Sequence, residues 1–194
     1  MTKSPLIING AIRPGGNTDS LVERVVAGAK SVSLDPLMAE LRNKRICDCI
    51  GCYQCLKTSR CSLQDDMTEI RALIEGADII LFASPVYWCG VTGLMKTFLD
   101  RLFFYYHPDT KPLISGKKAV ILTPMNQKNT EFESQVLVEF YSRLFGCLGL
   151  DIVDMSFFNE IMGKGDLLER PEYLEQAYEI GAQLGKCTRA YKVR

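Results

Sequence analysis

The sequence predicts a doubly wound α/β domain, and three observations carry that expectation. Short apolar runs alternate along the chain with longer segments of helical periodicity, the pattern of successive βα units. The run 78–83 is apolar at every position after its first rather than at alternate ones, which marks a strand buried on both faces of a parallel sheet. The length, 194 residues, suits one domain, which at that size buries about 70% of the surface its unfolded chain exposes.

The elements follow in order. Residues 5–9 are a short apolar run ending at Gly10, the first strand. After a loop, Asn17-Thr18-Asp19-Ser20 has the polar residues of a helix start, and Leu21, Val25, Val26 and Ala29 recur at helical spacing behind it. A weaker second strand lies around 37–41. Asp65 and Asp66 open the next helix, where carboxylates suit the positive end of its dipole, and it runs to about Gly76. The third strand, 78–83, leads to a helix over 94–105, a fourth strand over 118–123, a helix over 131–148 and a fifth strand around 151–157. Pro171 at a first helical position opens the last helix, expected to run to about Thr188. Five parallel strands with helices on both faces give a flavodoxin-like arrangement of order 2-1-3-4-5, with a ligand at the carboxyl edge where the first and third strands part. Residues 1–194 read as a single domain without repeat or linker, and its longest stretches without periodicity, 43–64 and 158–170, are expected to be functional loops.

Composition narrows the function. With 23 basic and 23 acidic side chains and no block of five like charges, the chain lacks the basic excess of a nucleic-acid binder. The opening segment has only a short apolar run followed by turn residues, so neither a signal peptide nor a membrane span is expected, and a cytoplasmic location is. His107, the one histidine, precedes Pro108 and reads as a loop or helix-end residue, which leaves no Ser, His and Asp set for a catalytic triad. Cysteine is the outlier: eight in all, with Cys47, Cys49, Cys52, Cys55 and Cys61 inside fifteen residues. In a reducing compartment such a cluster points to metal ligation or redox work ahead of disulfides. Cys147 and Cys187 fall in helical stretches and are expected in the core. The aromatic run 103–106 exceeds what one helix face buries, which points to a subunit contact or a lid.

Two further segments are expected at the same carboxyl edge. Residues 10–18 join the first strand to the first helix: small residues let backbone amides approach an anion, Arg13 brings charge, Thr18 a hydroxyl and the helix its positive end. There is no Walker lysine and no Gly-x-Gly-x-x-Gly spacing, and an ordinary strand-to-helix loop is the competing reading. Asp19, in the first turn, is expected to oppose a dianion there. Residues 84–91 place Tyr87 and Trp88 side by side at the end of a buried strand, where they either cover a flat apolar ligand or cap the core.

Taken together these motifs resemble the NADPH-dependent FMN reductase superfamily. Gly10-Ala11-Ile12-Arg13 with Gly16-Asn17-Thr18 is similar to its phosphate loop. Ala77-Asp78, then Ser84 to Trp88, then Leu94-Met95-Lys96-Thr97-Phe98-Leu99-Asp100-Arg101 follow its ordered signature, the whole spanning roughly residues 5–125. The resemblance implies noncovalent FMN, with the phosphate on Ala11, Arg13, Gly16, Asn17 and Thr18 and the isoalloxazine beside Pro85, Val86, Tyr87, Trp88, Cys89 and Gly90. The chain departs from the family's pattern at Ala11, where serine is usual, and at Ile12, where proline is usual. One hydroxyl contact to the phosphate is thereby missing, a charged hydrogen bond of about 1.5–3 kcal/mol, or roughly one to two decades of affinity. Cys89 lies beside the ring by this alignment, with a small buried hydrophobe as its other role.

Cys49, Cys52, Cys55 and Cys61 are separated by two, two and five residues, and spacings this short let thiolates converge from one loop on a [4Fe-4S] cluster. Followed by Asp65-Asp66-Met67, the arrangement resembles the iron–sulfur flavoprotein branch of the same superfamily. A four-thiolate zinc site and a metal-free loop, reduced or disulfide-bonded, are the alternatives; against zinc, its usual sites separate two pairs by about a dozen residues. Cys47 reads as a loop residue beside the motif. The function expected is an FMN-dependent oxidoreductase in which the flavin does the redox chemistry and no side chain acts as general acid or base. Without a cluster, NAD(P)H is the hydride donor and a small molecule the acceptor; with one, the partner is a ferredoxin-like redox protein. A homo-oligomer, dimer or tetramer, is implied by the resemblance. The alternative from another class is a non-enzymatic metal or redox sensor on the same fold, with a zinc-filled or redox-switched cysteine loop.

Overall fold

In the computed structural model, which describes residues 4–127 and 131–186, five parallel strands form one sheet. These are β1 (Leu6–Asn9), β2 (Leu37–Glu40), β3 (Ile79–Ala83), β4 (Lys118–Pro124) and β5 (Asp151–Phe158), standing in the expected order β2-β1-β3-β4-β5. Helix α1 (Asn17–Ser31) joins β1 to β2, while the one-turn α2 (Cys55–Thr58) and α3 (Met67–Gly76) lie between β2 and β3. Helices α4 (Gly93–Arg101), α5 (Glu131–Leu148) and α6 (Pro171–Gln183) follow β3, β4 and β5 in turn.

Successive strand residues feed opposite cores. Leu6, Ile8, Ile80, Phe82 and Ile121 pack with Ile70 of α3, Phe98 of α4 and Tyr141 and Phe145 of α5. Ile7, Leu81, Val120 and Leu122 pack with Leu21 and Val25 of α1 and Ile180 of α6. Two covered faces are what the continuous apolar runs encode. On the second face α1 and α6 meet backbone to backbone: a Cβ on Gly28 would stand 1.9 Å from the Tyr178 carbonyl oxygen, and one on Gly181 1.9 Å from that of Val25. Glycine alone allows that approach.

Three placements differ from expectation. The 94–105 helix ends at Arg101, because Leu102–Tyr106 tightens into a 3-10 turn that buries Leu102 and Tyr105 and leaves Phe103 and Phe104 half-buried. The last helix stops at Gln183 and passes into a 3-10 turn, Leu184–Lys186; Cys187 and Thr188 lie outside the described residues. Cys147 is exposed rather than core, since α5 buries Leu137, Tyr141, Phe145 and Leu148 on one stripe and Cys147 falls off it. No helix among the described residues is long and apolar enough to cross a membrane.

Candidate functional site

Loops at the carboxyl ends of β1, β3, β4 and β5 enclose a cavity of about 780 Å³, within the range of cofactor sites. The first loop is built from below. Asn9, buried at the end of β1, accepts the Ala11 amide on Oδ1 at 3.0 Å and donates from Nδ2 to Asp19 at 2.7 Å, while Asp19 accepts the Gly15 amide at 2.8 Å. Gly15 has a φ of 60°, and a Cβ on Gly16 would come within 3.1 Å of the Arg13 carbonyl oxygen. Gly16 caps α1 without a side-chain hydrogen bond, which leaves the first-turn amides of Asn17 and Thr18 to an anion. Arg13 is exposed on the cavity wall. A glycine cradle, an uncapped helix start and a cation fit a phosphate group.

Two side chains here act otherwise than expected. Asn17 donates from Nδ2 to the Gly163 carbonyl at 2.7 Å and accepts the Gly165 and Leu167 amides at 3.2 and 3.3 Å, so its amide staples the loop after β5 to the phosphate loop and only its backbone N–H is left for a ligand. Asp19 does not confront the site as an uncompensated charge, because Arg42 donates to its Oδ1 at 2.8 Å. Burial works against its ionisation, but hydrogen bonds from Arg42, Asn9 and the Gly15 amide outweigh that and hold the carboxyl below its usual range.

At the end of β3, Ser84 Oγ accepts the Thr92 amide at 3.1 Å. Thr92 Oγ1 in turn donates to the Gly10 carbonyl at 2.7 Å and accepts the Met95 amide at 3.1 Å, so one hydroxyl caps α4 and fastens it to the phosphate loop. Between Ser84 and Thr92 the chain makes a two-residue hairpin, with Tyr87 N to Gly90 O at 2.8 Å and Gly90 N to Tyr87 O at 3.1 Å. Its corner residues, Trp88 and Cys89, both have positive φ (48° and 58°), where such turns favour Asn-Gly. The turn lifts the Trp88 ring wholly into solvent at the cavity wall, 101% exposed, which overturns a core-capping role, and Cys89 is half-buried rather than core.

Of the expected cofactor residues, Ala11, Arg13, Gly16, Asn17, Thr18, Pro85, Val86, Tyr87, Trp88 and Cys89 all line the cavity; Gly90 does not and instead closes the hairpin. The sequence reading misses Pro124 to Gln127, Ile161 and Met162, which complete the wall. Their only signal is position at the carboxyl ends of β4 and β5. Backbone bonds link the loops in series: Val86 N to Pro124 O at 3.2 Å, Met125 N to Phe158 O at 2.8 Å and Ile161 N to Met125 O at 2.9 Å.

The cysteine loop stands apart, and none of residues 43–64 lines this cavity. A buried ion pair holds it. Arg101 of α4 and Asp65, each with a side chain 1% exposed, pair through both carboxylate oxygens; Arg101 also donates to the Cys47 carbonyl at 2.7 Å and to Cys61 Sγ at 3.4 Å. Asp65 accepts the Cys47 amide at 3.0 Å and the Met67 amide at 3.1 Å, tying both ends of the loop to the start of α3. Tyr53 packs edge-on against Phe103, which stacks on Tyr106, so the aromatic run covers the cysteine loop instead of the cavity. Cys52 Sγ lies 3.2 Å from Ser62 Oγ, a contact that lowers its pKa, while burial, reinforced by Cys61 and Cys49, pushes the Cys55 thiol up. Among the described residues no three Cys, His, Asp or Glu side chains are gathered closely enough to hold a metal ion. As placed, Cys49, Cys52, Cys55 and Cys61 are not gathered into one ligand set.

A parallel sheet with an anion cradle and an apolar cavity at its switch point defines a binder of a phosphate-bearing cofactor. The family model of the NADPH-dependent FMN reductases matches residues 5–146, and the chain belongs to that family. An iron–sulfur flavoprotein of Archaeoglobus fulgidus is 34% identical over 110 residues, 57% of this chain and 49% of that protein, so the chain spans about half the length of that relative. The Bacillus subtilis protein "Putative NAD(P)H-dependent FMN-containing oxidoreductase YwqN" is 31% identical over 170 residues, 82% of this chain and 84% of its own. An NAD(P)H:quinone oxidoreductase from Methanothermobacter marburgensis, at 19% identity, superposes with a TM-score of 0.76 over 95% of this chain and 98% of that one, and so shares the fold.

Proposed function

We propose that this protein is an FMN-dependent oxidoreductase that takes reducing equivalents from NAD(P)H and passes them to a small-molecule acceptor. The observation that carries the reading is one cavity joining the anion cradle at Gly16 to apolar and aromatic walls, Val86, Tyr87, Trp88 and Met125. When bound, FMN supplies hydride acceptance and one- or two-electron delivery. The chain supplies the rest. Arg13 and the first-turn amides of α1 neutralise the phosphate, and Asn126 and Gln127 bring hydrogen-bonding groups to the wall. Among the described residues the cavity wall carries no Asp, Glu or His. Reconstitution with FMN followed by anaerobic addition of NADPH or NADH tests the reading: flavin absorption bands that bleach on addition support it, and a protein that takes up no FMN refutes it.

The spacing of Cys49, Cys52, Cys55 and Cys61 favours a second reading, supported by the iron–sulfur flavoprotein name of the archaeal relative. These thiolates would be the ligands of a 4Fe–4S cluster serving a ferredoxin-like partner. Because the thiols as placed are not a ligand set, no electron path is derived through them. Iron, sulfide and zinc analysis of anaerobically purified protein decides: about four irons per chain support the cluster, and their absence leaves the reductase reading alone.

A further inference from the structure

Beneath the phosphate loop, β2 runs parallel to β1 with Asn9 opposite Glu40, so the residues just after β2 arrive under the first turn of α1. Arg42 sits there, in the 3-10 turn Leu41–Asn43. Its NH1 is 2.8 Å from Asp19 Oδ1 and its NH2 2.9 Å from Glu40 Oε1, and the Arg42 and Asp19 side chains are only 16% and 10% exposed. Asp19 has a second task, since it accepts the Gly15 amide and the Asn9 side-chain amide, and Asn9 in turn accepts the Ala11 amide. Both ends of loop 11–15 therefore hang on one carboxylate in the first turn of the helix that offers its amides to an anion. That carboxylate shapes the loop through its hydrogen bonds and disfavours a dianion through its charge. The Arg42 guanidinium, shared with Glu40, offsets much of that charge and leaves the hydrogen bonds in place.

We propose that Arg42 is a positioning residue for the cofactor phosphate, and that the Arg42–Asp19 pair adds to the preference of this site for a phosphorylated flavin over an unphosphorylated one. The inference rests on the FMN reading above and adds a residue outside the cavity wall to it. Its consequence is specific to the phosphate: loss of Arg42 exposes the Asp19 charge to the phosphate end alone, so the isoalloxazine end keeps its contacts.

The test is the dissociation constant of the full chain for FMN and for riboflavin, read by quenching of flavin fluorescence. Arg42→Met is expected to weaken FMN by about tenfold or more and riboflavin by less than about twofold. The double variant Asp19→Asn/Arg42→Met removes both charges while one amide oxygen still accepts from Gly15, at the expense of the Asn9 bond to the other carboxylate oxygen, and it is expected to recover part of the FMN affinity lost in Arg42→Met. Arg42→Lys keeps the charge without the fork and is expected to lose severalfold for FMN only; should Arg42→Met fail to fold, the FMN-to-riboflavin ratio of the lysine variant decides. A ratio unchanged from wild type, or equal losses for the two flavins, overturns the role given to Arg42. Wild-type protein that binds neither flavin overturns the FMN reading itself, which keeps the two failures apart.

Discussion

Replacing Arg101 by methionine isolates the ion pair under the cysteine loop. The guanidinium pairs with both oxygens of Asp65 and also serves the Cys47 carbonyl and Cys61 Sγ, with both charged side chains 1% exposed. Methionine fills similar volume but leaves the Asp65 carboxylate buried with only the Cys47 and Met67 amides, and leaves the Cys47 carbonyl without its donor. Removing one partner of a buried pair costs about 3–5 kcal/mol, which for a domain of this size lowers Tm by roughly 6–20 °C. The double variant Asp65→Asn/Arg101→Met removes the stranded charge and is expected to recover more than half of the loss. Urea unfolding at neutral pH measures both. A loss below about 1 kcal/mol is the value of a solvent-exposed pair, and would refute the argument that burial sets the cost.

Acid should destabilise the protein through the two braced carboxylates. Asp19 and Asp65 are both held below the ordinary aspartate value of 3.8, so the unfolded chain takes up protons first. Their contribution is intact above that value and is lost as pH falls below it, and Asp65→Asn should flatten the acid limb of an unfolding free-energy profile. Gly28→Ala, whose methyl would stand 1.9 Å from the Tyr178 carbonyl, is expected to cost about 1–3 kcal/mol in thermal or chemical unfolding, whereas Gly76→Ala, which meets nothing within 4 Å, should be neutral or slightly stabilising. Cys89→Gly relieves a φ of 58° and should raise stability by about 1 kcal/mol. Arg13→Ala removes the exposed cation on the phosphate wall and should weaken FMN by roughly ten- to hundredfold in a fluorescence titration, with riboflavin little changed.

The inner strands β1 and β3 are the most legible in the chain because strands buried on both faces have few polar positions to blur them: Ile79–Ala83 is apolar throughout, and so is Leu6–Ile8, whereas the edge strands β2, with Glu40, and β5, with Asp151 and Asp154, carry polar residues and read more weakly. Helix ends are less legible. Nothing local to Leu102 announces the switch to a 3-10 turn, which is fixed by the burial of Leu102 and Tyr105 against distant residues. The site divides the same way. Residues 10–18 and 84–91 stand out because glycines and paired aromatics are chemically unusual at a strand end, whereas Asn126, Gln127, Ile161 and Met162 are ordinary residue types that only the topology carries to the cavity. The cysteine spacing is the most conspicuous pattern in the chain, yet it says nothing of where the loop lies. That is set by Asp65 and Arg101, 36 residues apart.

Asp19 is misread from sequence for the same reason: its partner, Arg42, lies 23 residues further on and reaches it only because β2 is the neighbour of β1. A carboxylate in a first helical turn suggests complementarity to the helix dipole, and here Asp19 carries a loop instead, as Asp65, just before α3, carries the cysteine loop. This division of labour bears on the departures at Ala11 and Ile12. The Ala11 amide is fixed by Asn9 and the Gly15 amide by Asp19, so neither bond depends on the side chains that replace the family's serine and proline. The loop therefore keeps its shape, and the departure costs the phosphate one hydroxyl contact, about 1.5–3 kcal/mol, rather than the cradle. On the FMN reading, Arg13 and the first-turn amides would hold the phosphate above an Asp19 paired with Arg42, so the affinity for FMN should be more sensitive to Arg13 and Arg42 than to any residue beside the ring.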